Sequence, residues 1–303
     1  MAGVQRRLGE FIYWSFEPFL TGVGAVFTGR HGGVSRGPFA TLNLAFHVGD
    51  DEAAVRRNRE TVYRHLNLRP GDVVVAEQVH GAAVAVVDRR HAGSGALGPP
   101  ELPGVDALLT AVPGLVLGGL FADCVPVYLY DPVRKVVGLV HAGWRGTAAG
   151  VAARAVAVME RTFGTRPGDC LAVMGPAVGP CCYRVGDDVA RALRPLCGGE
   201  GPPFLWPAGE GRPSHAAGGP RGPGEGVPGA GRWRLDLWLA NRRWLVSAGL
   251  REEHIAASGL CTACRTDLFF SHRREGGRTG RCGAFIWLPG GRRGHGHNPG
   301  GGR

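Results

Sequence analysis

Lysine is almost absent from this 303-residue sequence, because Lys135 is the only lysine among 35 basic residues and the others are arginine. The formal net charge is nevertheless +10, which by itself would suit an anionic partner such as nucleic acid. The arginines are scattered, however, and do not alternate with aromatic residues that could stack on bases. Abundant arginine, glycine and proline is also typical of a GC-rich genome. We therefore predict a solvated basic surface and no nucleic-acid partner.

A long apolar run is missing as well. No stretch approaches the roughly 20 apolar residues that a membrane-spanning helix needs. The first residues, MAGVQRRLGEFIYWSFEPFL, carry charges where a signal peptide has its apolar segment. We therefore expect no membrane partner and a cytoplasmic location. In that reducing compartment the eight cysteines are expected to bind metal or act in catalysis rather than form disulfides.

Short apolar segments alternate with helical ones over most of the chain. The segments 22–30, 73–80 and 82–88 have the composition of strands. Helices are predicted at three segments with helical apolar periodicity or capping residues, namely 50–66, 147–164 and 235–250. This alternation predicts the α/β (α+β) fold class.

Two segments are predicted to be unordered. The Gly/Pro-rich residues 198–232 and the terminal residues 289–303 contain too little apolar surface to pack by themselves. The sequence on both sides of 198–232 shows no clear boundary. We therefore predict a single catalytic domain over residues 1–288, with 198–232 as an insertion and 289–303 as a disordered tail.

The stretch 120–146 contains two apolar segments, VPVYLY and VVGLV, joined by an Asp-Pro turn. Counting an antiparallel register outward from this turn places Cys124 opposite Ala142 or His141. Facing residues in such a hairpin have Cβ atoms about 4.5–5.5 Å apart. The pattern therefore predicts that Cys124 and His141 meet at the open end of the hairpin.

A neighbouring thiol and imidazole suit two kinds of chemistry. The histidine could activate Cys124 as a nucleophile, or both residues could bind Zn²⁺ together with a third ligand. His80, which ends a strand in EQVHG, is the candidate for that ligand. In HAGWRGT, Arg145 offers a fork for oxyanions beside the start of a helix.

Six motifs along the chain resemble one known family. They are, in order, TGRHGGVSRGPFATLNLAFHVGDD, EQVHG, ADCVPV, HAGWRGT, MGPAVGPCCYRVG and LCTACRTDLFFSHRREGGRTGRCGAFIWL. Together they are similar to the zinc-dependent purine nucleoside phosphorylases. That family is also labelled polyphenol oxidase or multicopper laccase, and its bacterial members are also called peptidoglycan editing factor. The resemblance covers nearly the whole chain apart from its ends and residues 198–232.

The resemblance implies a layered sandwich of mixed β-sheets flanked by helices. It also implies phosphorolysis of adenosine, inosine and 5′-methylthioadenosine to a free base and a ribose 1-phosphate, with adenosine deamination as a further activity. The implied zinc ligands are His80, Cys124 and His141; copper is an alternative, since nitrogen and sulfur ligands accept both ions. Cys124, His141 and Arg145 are the catalytic candidates, and Arg30, Asn43 and Arg145 are the candidates for binding nucleoside and phosphate.

Three other functions are consistent with parts of the sequence. A Cys/His amidohydrolase acting on peptidoglycan precursors would use Cys124 as nucleophile and His141 as base. A non-catalytic binding protein would fold and load metal without turnover. A true laccase is disfavoured, because the only His-x-His pair, His295 and His297, lies in the predicted tail.

Several further cysteines and polar residues have no assigned role. Cys261 and Cys264 form a C-x-x-C pair, while Cys282 and the adjacent Cys181 and Cys182 lie elsewhere in the sequence. Because a structural zinc site usually needs four ligands at matched spacing, we predict structural thiols here. The polar residues of DLFFSHRREGGRTGR fit a solvated loop as well as a pocket, so Ser271, Arg273 and Arg281 are left outside the predicted site. The sequence leaves the preferred nucleoside and the oligomeric state open.

Overall fold

The computed structural model describes residues 3–17, 19–198, 204–209 and 231–290. The strands in these residues are β1 (Val4–Leu8), β2 (Phe11–Ser15), β3 (Gly24–Thr28), β4 (Val73–Val75), β5 (Val84–Val86), β6 (Ala107–Thr110), β7 (Val116–Phe121), β8 (Val125–Asp131), β9 (Val136–Ala142), β10 (Leu171–Met174), β11 (Arg184–Val185), β12 (Leu205–Pro207), β13 (Trp233–Leu235), β14 (Ile255–Ala257) and β15 (Cys282–Trp287). The α-helices are α1 (Glu52–His65), α2 (Trp144–Ala148), α3 (Val151–Phe163), α4 (Asp187–Leu193) and α5 (Leu237–Ser247).

The strands form two large sheets and a small one. The first sheet has the order β1-β2-β3-β15-β7-β4, and the second has the order β14-β10-β8-β9-β6-β5. Both are mixed, because β4 runs parallel to β7, β10 to β14 and β5 to β6, while the other neighbours are antiparallel. The small sheet, β11-β13-β12, is antiparallel. The predicted α/β class with mixed sheets is confirmed.

Three buried clusters show how the sheets and helices stack. Helix α1 packs Val62 and Tyr63 against the outer face of the first sheet. The inner faces of the two large sheets meet in a second cluster, to which Tyr128 contributes. Helices α3 and α5 cover the outer face of the second sheet, with Met159 and Leu245 in the third cluster. The layers therefore run helix, sheet, sheet, helix, as expected for the sandwich.

The central hairpin of the second sheet, β8 and β9, is buried on both faces. Alternate side chains point to opposite faces of a strand. Val127 accordingly packs toward the helices, whereas Tyr128 packs toward the first sheet and donates its hydroxyl to the carbonyl of Val26 at 2.7 Å. The residues at the end of this hairpin are therefore carried by two fully buried strands.

The helices follow the predictions with one difference. Asp51 caps α1 by accepting the backbone N–H of Ala54 at 2.7 Å. The helix predicted over 147–164 is broken, because α2 ends at Ala148 and Gly150 takes a φ of 73° before α3 begins. Such a left-handed conformation costs little only for glycine.

Part of the segment predicted to be unordered is ordered. Residues 204–209 include β12, which pairs with β13, and Phe204 and Trp206 are buried. These aromatic side chains supply the apolar surface that the surrounding Gly/Pro-rich sequence lacks. Residues 199–203 and 210–230 of the predicted insertion, and all of the predicted tail after Gly290, lie outside the described residues.

Two sequence-based expectations concern the whole chain. No helix among the described residues combines the length and the apolar character needed to cross a membrane. The free thiols among the described side chains are Cys124, Cys170, Cys181, Cys182, Cys261, Cys264 and Cys282.

Candidate metal and catalytic site

Three side chains that were predicted at strand ends converge at one point, although β4 ends at Val75 and His80 lies in the loop that follows it. The ligand atoms of His80, Cys124 and His141 all lie within 4.8 Å of one another. The two imidazole rings are tilted edge to face, with centroids 4.8 Å apart. His80 is exposed, Cys124 is half-buried and His141 is buried. One side of this triad, His80–Cys124–His141, therefore faces solvent.

Cys124 and His141 meet as predicted, but the register of their hairpin differs by one residue. Val125 pairs with Ala142, so Cys124 lies opposite Gly143 rather than opposite Ala142 or His141. His141 is then diagonal to Cys124 and on the same face of the sheet, within reach of its side chain. A Cβ atom on Gly143 would lie 2.9 Å from the Cys124 sulfur. Glycine at this position is what leaves room for the thiol.

The turn between β8 and β9 explains the shift in register. The Asp131 carboxylate accepts the backbone N–H groups of Val133 and Arg134 at 2.8 and 2.9 Å. Lys135 then takes a φ of 54°. These bonds stabilise a four-residue loop over 132–135, so that Tyr130 pairs with Val137 rather than with Val136 or Lys135, the partners assumed in the sequence-based count.

Asp106 holds both histidines of the triad. Its buried carboxylate accepts the Nδ1–H of His141 at 2.7 Å and the backbone N–H of His80 at 3.0 Å. The backbone N–H groups of Val79 and Gly81 also donate to it, at 3.3 and 2.7 Å. These bonds keep His80 in a left-handed conformation with a φ of 61°. They also leave the Nε2 atom of His141 free to face Cys124.

Asp106 is not among the site residues predicted from the sequence. The available signal was a charged residue directly before the apolar strand β6, in GVDALL. An aspartate in that position is buried at a cost unless several donors satisfy it. Burial by itself raises the pKa of Asp106. The hydrogen bond from His141 and those from the backbone N–H groups lower it by more, so the net effect is a lowered pKa.

The electrostatics of the metal-free site favour a charged Cys124–His141 pair. Burial opposes ionisation of the Cys124 thiol, yet the charge of His141 and hydrogen bonds from both histidines lower its pKa to about 6. Burial likewise opposes protonation of His141, but the Cys124 thiolate and the Asp106 carboxylate raise its pKa to about 9. The thiolate is thus available as a ligand or as a nucleophile at neutral pH.

Asp123, the residue before Cys124, ties the triad to a neighbouring loop. Its buried carboxylate accepts the hydroxyl groups of Thr262 and Ser271 at 2.6 and 2.8 Å and the backbone N–H of Arg273 at 2.6 Å. The backbone of Asp123 has a φ of 87°. Burial raises the pKa of Asp123, while its three donors act in the opposite direction. Ser271 and Arg273, left outside the predicted site, therefore belong to its wall.

Arg281, also left outside the predicted site, lies in the electrostatic field of the triad. Burial lowers the pKa of its guanidinium, while the negative charges of Cys124 and Asp123 raise it in part. Burial and the positive charge of Arg281 lower the pKa values of His47 and His272. The surroundings of the triad are consequently rich in positive charge and imidazole.

Arg30 is engaged within the protein. Its guanidinium donates to the carbonyls of Ala40 and Thr266 at 3.0 and 2.8 Å and pairs with Glu275 at 2.9 Å. It also stacks on the ring of Phe270, with 4.5 Å to the centroid. These contacts anchor the loop that carries Ser271 and Arg273. Direct contact of Arg30 with a substrate stays a prediction.

Asn43 also has internal partners. It is buried, donates to the carbonyl of Ala45 at 3.1 Å and to the carboxylate of Asp50 at 2.9 Å, and accepts the backbone N–H of Arg281 at 2.9 Å. The last bond fixes the backbone of Arg281 beside the triad. Binding of substrate by Asn43 itself stays a prediction.

Arg145 differs from Arg30 and Asn43 because it is exposed. It lies in α2, two residues after Gly143, and its guanidinium stacks on the ring of Trp144 with 4.4 Å to the centroid. The stack orients the guanidinium without using its N–H donors. Its predicted role with anions therefore stays open to test.

The triad fits a divalent transition-metal ion. Two imidazoles and one thiolate, with an exposed side, are the three protein ligands typical of a catalytic zinc site that keeps one position for substrate. A carboxylate on the remote nitrogen of a ligating histidine, here Asp106 on His141, is the usual outer partner in such sites. Two imidazoles and a thiolate also occur around copper.

The layered α/β fold agrees with the comparisons to known proteins. The chain belongs to the family described as multi-copper polyphenol oxidoreductase laccase, whose family model matches residues 24–289. Among its named relatives is the purine nucleoside phosphorylase YlmD of Geobacillus stearothermophilus, which is 43% identical over 270 residues, covering 89% of this chain and 91% of that protein.

Two further comparisons extend this result. The adenosine deaminase RL5, from an unknown prokaryotic organism, is 34% identical over 276 residues, covering 90% of this chain and 96% of that protein. The crystal structure of YlmD from Geobacillus stearothermophilus matches with a TM-score of 0.83 at 39% identity, covering 95% of this chain and 100% of that one. These names do not favour the amidohydrolase alternative.

Proposed function

We propose that this chain is a zinc-dependent purine nucleoside phosphorylase acting on adenosine, inosine and 5′-methylthioadenosine, with adenosine deamination as a side activity. The observation that carries the proposal is the convergence of His80, Cys124 and His141 on one partly exposed point. The names of the phosphorylase and deaminase relatives support the same chemistry. Zinc is preferred to copper because neither reaction needs a change of oxidation state.

Zinc held by the triad would supply Lewis-acid polarisation of a substrate oxygen. The chain's own residues prepare the ligands for it. Asp106 holds the proton on Nδ1 of His141 and so directs Nε2 toward the centre. The same carboxylate fixes the backbone of His80. The low pKa of Cys124 keeps its sulfur as a thiolate at neutral pH.

Phosphorolysis requires an oxygen of phosphate to form a bond to C1′ of the ribose while the bond from C1′ to the purine nitrogen breaks. The nearby cations suit the phosphate: Arg145 is exposed, and Arg281 lies in the field of the triad. A guanidinium fork binds phosphate oxygens with two parallel hydrogen bonds. In this proposal Arg145 and Arg281 orient phosphate, and Arg30 and Asn43 shape the nucleoside side of the pocket.

Three hydrogen bonds around the site join residues that are far apart in the sequence. They link Asn43 with Arg281, Asp106 with His141, and Asp123 with Arg273. This supports one catalytic domain spanning residues 1–288, with the 198–232 insertion inside it. A cytoplasmic location remains part of the same proposal.

The test combines metal content with turnover. We expect His80→Ala to contain one metal ion per chain fewer than the wild type and to lose phosphate-dependent release of base from adenosine and inosine. His65→Gln is the matched control, because His65 lies at the end of α1 against Phe11 in the outer layer. It should keep both the metal and the turnover.

Two results would contradict the proposal. One is a wild type without metal that releases no base, which would point to Cys124 and His141 acting as a metal-free pair. The other is base release that does not depend on phosphate, which would exclude phosphorolysis. Copper in place of zinc would show as an intense thiolate-to-copper absorption band and as copper in the metal analysis.

A further inference from the structure

Four cysteines that are scattered in the sequence come together at a second point. The sulfur atoms of Cys181, Cys182, Cys261 and Cys264 all lie within 4.8 Å of one another. The sulfur of Cys264 is 3.5 Å from that of Cys181 and 3.4 Å from that of Cys182. The expectation that the C-x-x-C pair lacks matched partners is therefore wrong. The partners come from the adjacent pair, brought near by folding.

The spacing of this four-cysteine cluster matches the needs of a metal ion. Zinc binds thiolate sulfur at about 2.3 Å, which places the corners of a tetrahedral site about 3.8 Å apart. The sulfur–sulfur distances from Cys264 to Cys181 and Cys182 fall just below this value, and no separation between two of the four sulfurs exceeds it by more than about 1 Å. Side-chain rotation within two short turns, 180–182 and 262–264, covers the difference.

The backbone around the cluster has the polarity that a thiolate site requires. The N–H of Gly179 donates to the sulfur of Cys261 at 3.2 Å. The guanidinium of Arg234 donates to the carbonyls of Pro180 and Cys181 at 3.1 and 2.8 Å, which places a positive charge beside the turn. A hydrogen bond to sulfur and a nearby cation both stabilise ligating thiolates.

Other cysteines of the chain show what an ordinary structural thiol looks like here. Cys170 and Cys282 are buried in separate apolar clusters. Burial raises the pKa of each to about 12. The four-cysteine cluster is different, because Cys181 is exposed and Cys264 is half-buried. An ion can therefore reach the cluster from solvent.

We propose that Cys181, Cys182, Cys261 and Cys264 bind one structural Zn²⁺ as a closed four-thiolate site, separate from the His80–Cys124–His141 triad. Four sulfur ligands complete the tetrahedral shell and leave no position for a substrate. Soft thiolates favour zinc over magnesium or calcium. As the ion binds, the thiols release their protons to solvent.

Zinc bound by the cluster would also affect the triad, because the polypeptide connects the two sites. Thr262, inside the C-x-x-C turn, donates its hydroxyl to Asp123 at 2.6 Å, and Asp123 precedes Cys124. On the other side, Tyr183 follows Cys182 and lies under the guanidinium of Arg273, 5.0 Å from the ring centroid. Zinc at the cluster would therefore fix two segments of the wall around the triad.

The experiment uses the full chain carrying His80→Ala, so that metal at the triad does not obscure the count. We expect this variant to retain about one zinc per chain, and the double variant His80→Ala/Cys264→Ser to retain none. Substitution of Co²⁺ into the single variant should give the intense charge-transfer absorption of several thiolates on one tetrahedral cobalt. That absorption should disappear in the double variant.

Two controls keep the outcome clear. Cys170→Ala in the His80→Ala background should leave the zinc content unchanged. Cys181→Ser, at an exposed position, is a second test should Cys264→Ser fold poorly. Equal zinc content with and without Cys264 would overturn the proposal. So would a mass measurement under non-reducing conditions that shows disulfides joining these cysteines in place of bound zinc. The zinc content of these variants does not depend on turnover. A failure of the proposed catalytic function can therefore be distinguished from a failure of the proposed zinc site.

Discussion

The triad and the four-cysteine cluster are built from similar residues but are suited to different work. The triad has one thiolate and two imidazoles, and one side is exposed. The cluster has four sulfurs, and they would surround an ion completely. A divalent ion in the triad would carry a net positive charge, whereas one held by four thiolates would carry a net negative charge. Only the triad can attract and hold an anion such as phosphate.

The two regions also differ in how their geometry is maintained. In the triad, a buried carboxylate orients the ligands, because Asp106 bonds to both histidines. In the cluster, two turns hold the cysteines, and an ion would itself provide the cross-link between them. We therefore expect loss of the Asp106 carboxylate to weaken metal binding at the triad. Loss of the ion from the cluster should instead destabilise the fold of the two turns around it.

The largest expected effect comes from Cys124→Ala. Loss of a ligand should cost more than the 10- to 100-fold that loss of an outer partner costs, so we expect base release to fall more than about 100-fold. Cys264→Ser should reduce turnover far less, because its sulfur lies outside the triad. Parallel assays of metal content and phosphate-dependent base release check this difference. Full activity and full metal content in Cys124→Ala would refute the mechanism.

A smaller effect is expected from Asp106→Asn. The amide keeps the shape of the side chain, but its NH₂ group cannot accept the N–H bonds that the carboxylate accepts from Val79 and Gly81. We expect metal affinity at the triad to fall about 10- to 100-fold, measured by competition with a chelator. Asp267→Asn, at an exposed pair with Arg265, is the control. The four-cysteine cluster should keep its metal in both variants. Equal loss of metal from the triad and the cluster in Asp106→Asn would show that Asp106 does not act on the triad specifically.

The smallest effect concerns the pH dependence of Cys124 alkylation in metal-free protein. Its pKa is lowered to about 6, so the thiolate is present above that pH and is lost as the pH falls through it. At pH 7 the thiolate fraction exceeds that of an ordinary thiol about 30-fold. The lower nucleophilicity of a low-pKa thiolate offsets most of this gain, which leaves roughly a two- to threefold rate advantage.

The measurement is the alkylation rate of Cys124 by iodoacetamide at several pH values, read by peptide mass spectrometry. The rate should level off above about pH 6 rather than keep rising toward the ordinary thiol pKa of about 8.5. Cys170 and Cys282, whose pKa values burial raises to about 12, should stay unmodified. A rate at Cys124 that climbs through pH 8 would show that the ion pair with His141 is absent.

Much of the fold could be predicted from apolar patterning. Helix α1 and the strands β8 and β9 lie where their periodicity and turn residues indicate. The break at Gly150 was missed, because a glycine within a helical pattern is tolerated often enough to be ambiguous. The strand β12 was missed for another reason. Its burial depends on pairing with β13, which lies beyond a Gly/Pro-rich segment.

In the candidate site too, some features follow from local sequence patterns and others depend on tertiary packing. His80, Cys124 and His141 could be selected because each ends a strand-like segment next to glycine or a turn. Asp106 was not selected, because its local signal, a charged residue directly before the apolar strand β6, does not distinguish an aspartate that accepts four hydrogen bonds from one that faces solvent. The register of the β8–β9 hairpin also needed the structure, since the bonds of the Asp131 carboxylate decided the loop length.

By itself, the sequence determined the α/β class, the family resemblance and the three triad residues, because strand periodicity, turn residues and short motifs are local properties of the chain. Tertiary structure decided which carboxylate supports the triad and which cysteines meet. Cys182 and Cys261 are far apart in sequence, and only the stacking of their two turns beside β10 places their sulfurs together. Such contacts depend on how the layers pack, which no local pattern specifies.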